Sequence, residues 1–134
     1  MTTPDSSVLV AAFATWHPQH EVARDAVAGC DRLVAHAALE TFAVLTRLPS
    51  HVRVEGGHVV AFLEGNFRKP WLTLRPRRYD ALLAACVRAG VTGGAVYDAL
   101  IGAAAVEAGE SLVSSDKRAR SVYEAVGAEV AFLE

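Results

Sequence analysis

The chain has 134 residues, a size typical of one compact domain, and its content of 52% hydrophobic and 21% charged residues excludes a disordered chain. A net charge of −2 argues against capture of nucleic acid by a uniformly basic surface. No apolar run is long enough to span a membrane, the N-terminus lacks the basic start of a signal peptide, and the two cysteines have no metal-ligand spacing. We therefore expect one cytoplasmic domain, residues 1–134.

Short apolar segments alternate with helical patterns along the chain. The spacing of apolar residues, with Pro and Gly at several ends, predicts helices over 18–29, 37–48, 54–67, 77–90, 95–108 and 117–127. Strands are predicted over 32–36, 71–74, 111–115 and 129–133, whereas the apolar run "SSVLVAAF" at 6–13 fits a strand or a helix. This alternation predicts the α/β class, with a short, mainly parallel sheet between two helical layers.

Four acidic residues are predicted to meet at one edge of that sheet. Asp116 follows the strand "SLVSS", Glu40 follows "RLVAH", and the helix that starts near Asp98 leads back to "SLVSS". Asp5 joins them if a short strand ends there. Each acid alone has an ordinary interpretation, as a helix cap, a helix-dipole partner or a surface residue. Together they would repel one another without a cation, and carboxylate oxygens are the ligands that Mg²⁺ and Mn²⁺ prefer.

These residues lie in segments that resemble a known family. The segments "DSSVLVAAF" with Asp5 and Ser7, "LETFAVLTRLP" with Glu40, "GGAVYDALIGAAA" with Asp98, and "LVSSDKRA" with Asp116 resemble the four acidic motifs of PIN-domain ribonucleases. The resemblance is closest to the VapC toxins of bacterial toxin–antitoxin pairs and spans essentially the whole chain. Only "MTTP" precedes Asp5, so the first strand must be short. The resemblance implies that "SSVLVAAF" forms a turn and a helix.

The resemblance implies a metal-dependent endoribonuclease. Asp5, Glu40, Asp98 and Asp116 would hold one or two Mg²⁺ or Mn²⁺ ions, with Asp5 and Asp98 as the best candidates for direct ligands. Ser7 and Ser114 would orient ligands or phosphate. The substrate would be tRNA or rRNA, cut to leave a 5′-phosphate and a 3′-hydroxyl. The implied partners are a VapB-like antitoxin, which would present an Arg to the acids, and a second copy of the chain in a homodimer, with the helices at 54–67 and 79–90 as candidate surfaces.

Basic residues and histidines extend this interpretation. One basic cluster includes Arg75, Arg77 and Arg78, and another comprises Lys117, Arg118 and Arg120; we interpret these six as candidate RNA contacts. His17 and His20 are interpreted as surface residues in spite of their close spacing. His36 lies four residues before Glu40 and is kept open as a neighbour of the site.

Two alternatives belong to other functional classes. A receiver-like signalling domain also places acids and Mg²⁺ at the edge of a parallel sheet, but it needs an acidic pair after an early strand and an Asp after the third. This chain has a lone Asp5 and no Asp after "WLTL". The other alternative is a PIN-like RNA- or partner-binding module with little catalysis, which the presence of all four carboxylates disfavours. The chain has no HExxH, GxSxG, P-loop or GxGxxG motif.

Overall fold

The computed structural model describes all residues from Met1 to Glu134 and consists of seven α-helices and a three-stranded sheet. Two 3₁₀ turns, Pro76–Arg78 and Lys117–Ala119, precede α5 and α7. No helix is both long enough and apolar enough to cross a bilayer. The elements in chain order are β1 (Thr2–Pro4), α1 (Ser6–Phe13), α2 (His20–Ala28), α3 (Ala35–Thr46), α4 (Gly56–Asn66), α5 (Tyr79–Ala89), α6 (Ala95–Glu107), β2 (Ser111–Ser114), α7 (Arg120–Ala125) and β3 (Val130–Phe132).

The sheet is fully parallel, with β2 between β1 and β3. Thr3 of β1 pairs with Leu112 of β2, and Val113 of β2 pairs with Ala131 of β3. Because the strands are parallel, their carboxyl ends lie at one edge, where Asp5 follows β1 and Asp116 lies two residues beyond β2. The prediction of an α/β fold with a short parallel sheet is confirmed.

The strands predicted over 32–36 and 71–74 are wrong in extent. They contribute one isolated parallel bridge, between Val34 and Leu72. The chain turns into α3 at Ala35, where the sequence favours a helix, so no second pair can form. A side chain connects this bridge to the sheet, because the Thr3 hydroxyl donates to the Arg32 carbonyl at 2.9 Å. The run 6–13 forms helix α1, as the resemblance implied.

A hydrophobic core of 28 buried residues joins the helices to the sheet. Leu9 of α1, Leu112 of β2 and Tyr123 of α7 are among its largest fully buried side chains. Helix α6 packs closely on α7 at Gly102, where a Cβ would lie 2.8 Å from Val126 Cγ2. This close packing fixes the position of α6, whose first turn carries Asp98, relative to α7.

Candidate active site

Asp5 is held in one orientation by contacts to three parts of the fold, β2, α1 and α7. Its backbone NH donates to the Val113 carbonyl at 3.0 Å, which continues the β1–β2 pairing by one residue. Its Oδ1 accepts from Val8 NH at 3.2 Å, as a helix N-cap, and from Ser7 Oγ at 2.5 Å. Its Oδ2 accepts from the Tyr123 hydroxyl at 2.6 Å. A first strand of only three residues is therefore enough to hold Asp5, which is 3% exposed.

The Tyr123 hydroxyl is a contact of the site that the sequence did not reveal. Tyr123 follows the apolar pattern of α7, which predicts only a core position. Burial, and then the negative charge of Asp5, raise the pKa of Tyr123 well above its ordinary value. The hydroxyl therefore remains a donor to Asp5. A buried tyrosine hydroxyl needs a hydrogen-bond partner. The presence of Tyr at a core position is therefore the one sequence feature that could have indicated a polar contact here.

Ser7 and Ser114 connect Asp5 to the loop that carries Asp116. Ser7 Oγ, which donates to Asp5, also accepts from the Ser115 backbone NH at 2.9 Å and lies 3.4 Å from Ser114 Oγ. Ser114 Oγ accepts from the Asp116 backbone NH at 3.0 Å. The two serines therefore fix the loop after β2 against the start of α1.

Glu40 approaches the same edge from α3. Its Oε1 accepts from Ser6 Oγ at 3.1 Å, and its Oε2 lies 3.6 Å from His36 Nε2, one helical turn earlier. The His36 ring stacks on the Tyr97 ring, with 5.0 Å between centroids and 15° between planes. His36 is therefore a direct neighbour of Glu40, whereas Ser6 and Tyr97 are contacts that the sequence analysis missed.

Asp98 lies within electrostatic reach of the other three acids. Its pKa is raised to about 6, first by burial and then by the negative charges of Glu40, Asp5 and Asp116. None of these causes is a hydrogen bond. The fold therefore places the four predicted carboxylates near one edge of the sheet, with Asp98 within electrostatic reach of the other three, and no hydrogen-bond donor compensates the charge of Asp98.

The donor chemistry of this edge fits a hard divalent cation, although the ligands are not preformed. No three His, Cys, Asp or Glu side chains lie together as a ready set of metal ligands. Oxygen atoms of Asp5, Glu40 and Asp116 instead accept hydrogen bonds from Tyr123, Ser6 and Arg118. Carboxylate oxygens are nevertheless the donors that Mg²⁺ and Mn²⁺ prefer, and the pKa of Asp98 is raised first by burial and then by three neighbouring carboxylates, whose charge a cation would offset.

The two predicted basic clusters lie in different places. Lys117 and Arg118 are exposed and directly follow Asp116, and Arg118 Nε lies 3.2 Å from Asp116 Oδ1. Arg120 stacks over the Phe132 ring at 4.4 Å. In the other cluster, Arg75 and Arg78 approach Glu107, at the end of α6 opposite Asp98, while Arg77 is exposed. The structure brings the first cluster to the acidic edge and leaves the second away from it.

His17 and His20 lie apart from the acids. His17 Nδ1 accepts from the Gln19 backbone NH at 3.0 Å, and His20 Nδ1 lies 2.9 Å from the Ala11 carbonyl. Ala11 belongs to the last turns of α1, away from the end that starts at Asp5. These two histidines therefore serve local structure between α1 and α2.

Comparison with known proteins identifies the family of the chain. A model of the PIN domain matches residues 3–125. Ribonuclease VapC40 of Mycobacterium tuberculosis is 45% identical over 130 residues, which cover 97% of both chains. Ribonuclease VapC27 of the same species is 37% identical over 120 residues, which cover 90% of this chain and 80% of the relative. The chain therefore belongs to the PIN-domain family and, within it, to the VapC ribonucleases.

Proposed function

We propose that this chain is a divalent-metal-dependent endoribonuclease that acts as a growth-inhibiting toxin, with tRNA or rRNA as its substrate. The observation that supports the proposal best is the placement of four carboxylates near one edge of the sheet, where burial and then the charges of the other three acids raise the pKa of Asp98. If these acids served only to stabilise the fold, we would expect basic side chains to neutralise them. Apart from the contact of His36 with Glu40, Arg118 is the only basic side chain paired with one of the four acids.

In this proposal Asp5, Glu40, Asp98 and Asp116 hold Mg²⁺ or Mn²⁺, with Asp5 and Asp98 as direct ligands. When bound, the ion would lower the pKa of a water molecule and offset charge on the phosphate. Products with a 5′-phosphate and a 3′-hydroxyl require that the water oxygen bonds to phosphorus while the bond to the 3′-oxygen breaks, and that the 3′-oxygen leaves with a proton as the hydroxyl.

Neighbouring hydroxyl groups position the acids. Tyr123 and Ser7 each donate to one oxygen of Asp5, which fixes the plane of that carboxylate. Ser6 does the same for one oxygen of Glu40. Ser114 holds the backbone NH of Asp116. Such outer contacts set the orientation of ligands that would otherwise turn freely, and their removal typically costs about 10- to 100-fold in metal affinity or activity.

The exposed basic residues beside the acids offer a path for the RNA backbone. Lys117 and Arg118 follow Asp116 directly, and Arg118 is 93% exposed in spite of its contact with Asp116. We place Lys117, Arg118 and Arg120 nearest the cleaved phosphate. The second cluster extends the path further along the same protomer or along its partner; its residues are Arg75, Arg77 and Arg78.

The proposed partners follow from family membership and from exposed apolar residues. A VapB-like antitoxin would neutralise the enzyme by presenting an Arg to the acidic edge. Homodimerisation would cover apolar residues that α5 leaves exposed, since Leu83 is 56% and Val87 81% exposed. We propose the cytoplasm as the place of action, since tRNA and rRNA are found there.

The test is cleavage of a mixture of tRNA and rRNA by the purified protein with Mg²⁺, with Mn²⁺ and with EDTA. We expect cleavage that requires the metal and that Asp98→Asn abolishes. Cleavage that persists in EDTA or in Asp98→Asn would contradict this mechanism. Binding of Mn²⁺ and of RNA without any cleavage would favour the alternative, a PIN-like binding module.

A further inference from the structure

We infer that the exposed face of Tyr97 is a stacking subsite for one nucleobase of the RNA, next to the cleaved phosphate. This inference rests on the proposed function and adds a substrate contact outside the carboxylates and the basic residues. Three observations support it: the position of Tyr97, the stacking of the His36 ring on it, and its exposure.

Position is the first observation. Tyr97 directly precedes Asp98 in the first turn of α6, so its backbone is fixed by the same helix that brings Asp98 to the acidic edge. A phosphodiester held at these acids has a base attached within one nucleotide on either side. An aromatic ring at this place is therefore within reach of a base next to the cut.

The His36 ring is the second observation. It covers one face of Tyr97 nearly parallel to it, at 5.0 Å and 15°. His36 is itself placed by α3 and by Glu40, whose Oε2 lies 3.6 Å from His36 Nε2. The two rings therefore form a stack beside a carboxylate of the site, and the His36 ring restricts the rotation of Tyr97, so less side-chain freedom is lost when a base adds to the stack.

Exposure is the third observation. Tyr97 is 49% exposed although His36 covers one of its faces, so its accessible surface is the opposite face and the ring edge. Proteins that bind single-stranded RNA commonly stack bases on aromatic or guanidinium planes, because each base presents a π-face whatever its sequence. Tyr97, half-exposed and close to the four carboxylates, offers such a plane.

The test uses the RNA segment that the wild-type enzyme cuts, synthesised as a short oligonucleotide. We expect Tyr97→Ala and Tyr97→Leu to raise KM about tenfold with kcat changed by less than about twofold, because stacking contributes to binding and not to the reacting atoms. Tyr97→Phe keeps the plane and should match the wild type. Trp16→Ala is the matched control, since Trp16 is a 53% exposed aromatic beyond the far end of α1.

A second measurement assigns the contact to a base. Abasic nucleotides are placed one at a time beside the cut. One position should raise the wild-type KM about tenfold and leave the KM of Tyr97→Ala unchanged, because the same contact cannot be lost twice. Equal penalties in both proteins at every position, or a wild-type KM in Tyr97→Ala and Tyr97→Leu, would overturn the subsite while leaving the nuclease intact. A wild type that cuts no RNA with either metal would overturn the proposed function itself, and the subsite with it.

Discussion

Helix α6 carries a partly buried carboxylate at each end, and the fold surrounds the two in opposite ways. At its C-terminal end, Glu107 Oε2 accepts from the Arg75 backbone NH at 3.2 Å and lies 3.1 Å from Arg75 Nε, while Arg78 Nε lies 3.6 Å from Oε1. At its N-terminal end, Asp98 faces the charges of Glu40, Asp5 and Asp116, and its pKa is raised to about 6.

The backbones of the two residues are about 13.5 Å apart along the axis of one helix, at about 1.5 Å per residue. Both belong to the same Ala-rich segment, so helix propensity does not distinguish them. Only the surroundings differ: arginines from the turn before α5 at one end, and acids from β1, α3 and the loop after β2 at the other. The first arrangement stabilises the fold, and the second costs stability that a bound cation would restore.

The largest expected effect is on metal binding. Asp98→Asn should weaken Mn²⁺ binding by at least about 100-fold, because it removes a proposed direct ligand. Glu107→Gln should leave Mn²⁺ affinity within about twofold of the wild type, since its carboxylate is neutralised by arginines. Isothermal titration calorimetry of both variants measures this contrast. Equal losses in the two variants would show that the ends of α6 do not differ as we describe.

A smaller loss is expected when Asp5 loses its buried donor. Tyr123→Phe keeps the packed ring and removes the hydroxyl that donates to Asp5 Oδ2 at 2.6 Å. We expect Mn²⁺ affinity to fall about tenfold, as is typical when a group that orients a ligand is removed. Tyr79→Phe, at a 43% exposed tyrosine of α5, is the control. Unchanged Mn²⁺ affinity in Tyr123→Phe would mean that this hydrogen bond contributes to folding and not to the site.

Stability without added metal should change in opposite directions at the two ends. Asp98→Asn should raise the Tm by a few degrees, because it removes a charge that burial and three acids disfavour. Glu107→Gln should lower the Tm, because Arg75 and Arg78 lose their anionic partner. Thermal denaturation in EDTA measures both variants.

The Tm gain of Asp98→Asn should also depend on pH. The folded-state pKa of Asp98 is about 6, above its ordinary value of 3.8, so the folded protein takes up this proton before the unfolded chain does. The loss of folding stability caused by the Asp98 charge is complete above about pH 6, and it declines as the pH falls through that value. The gain should therefore be largest near neutral pH and shrink toward about pH 5. A gain that stays constant over this range would contradict the charge as its cause.

The sequence predicted the elements better than the contacts between them. Helix α5 was predicted within two residues at its start, because its apolar spacing is regular and Gly90, at a φ of 71°, ends it. The acids were predicted to meet because parallel strands end at one edge. The extents of 32–36 and 71–74 were overestimated, because an apolar segment does not reveal that Val34 pairs with Leu72 alone.

Contacts between distant segments account for what the sequence did not reveal at the site. Tyr123 and Asp5 are 118 residues apart, and their hydrogen bond depends on how α7 packs against α6 and reaches the start of α1. The stacking of His36 on Tyr97 depends in the same way on the packing of α3 against α6. The spacing of apolar residues along the chain does not reveal contacts between segments so far apart in sequence. A sequence pattern can therefore identify the acids but not the side chains that orient them.

The smallest expected effect is on the salt dependence of RNA binding, which compares the basic residues at the two ends. Lys117→Ala and Arg118→Ala together should weaken binding and flatten the slope of log K against log salt by about 1.4, or about 0.7 per lost phosphate contact on single-stranded RNA. Arg75→Ala with Arg78→Ala should flatten it less, because both of these arginines pair with Glu107, whereas in the first pair Arg118 contacts an acid and Lys117 has no ion pair. Fluorescence anisotropy over a salt series in EDTA measures both slopes without cleavage. An unchanged slope in the first pair would remove Lys117 and Arg118 from the RNA path, and equal flattening in both pairs would place the Glu107 end on that path as firmly as the acidic edge.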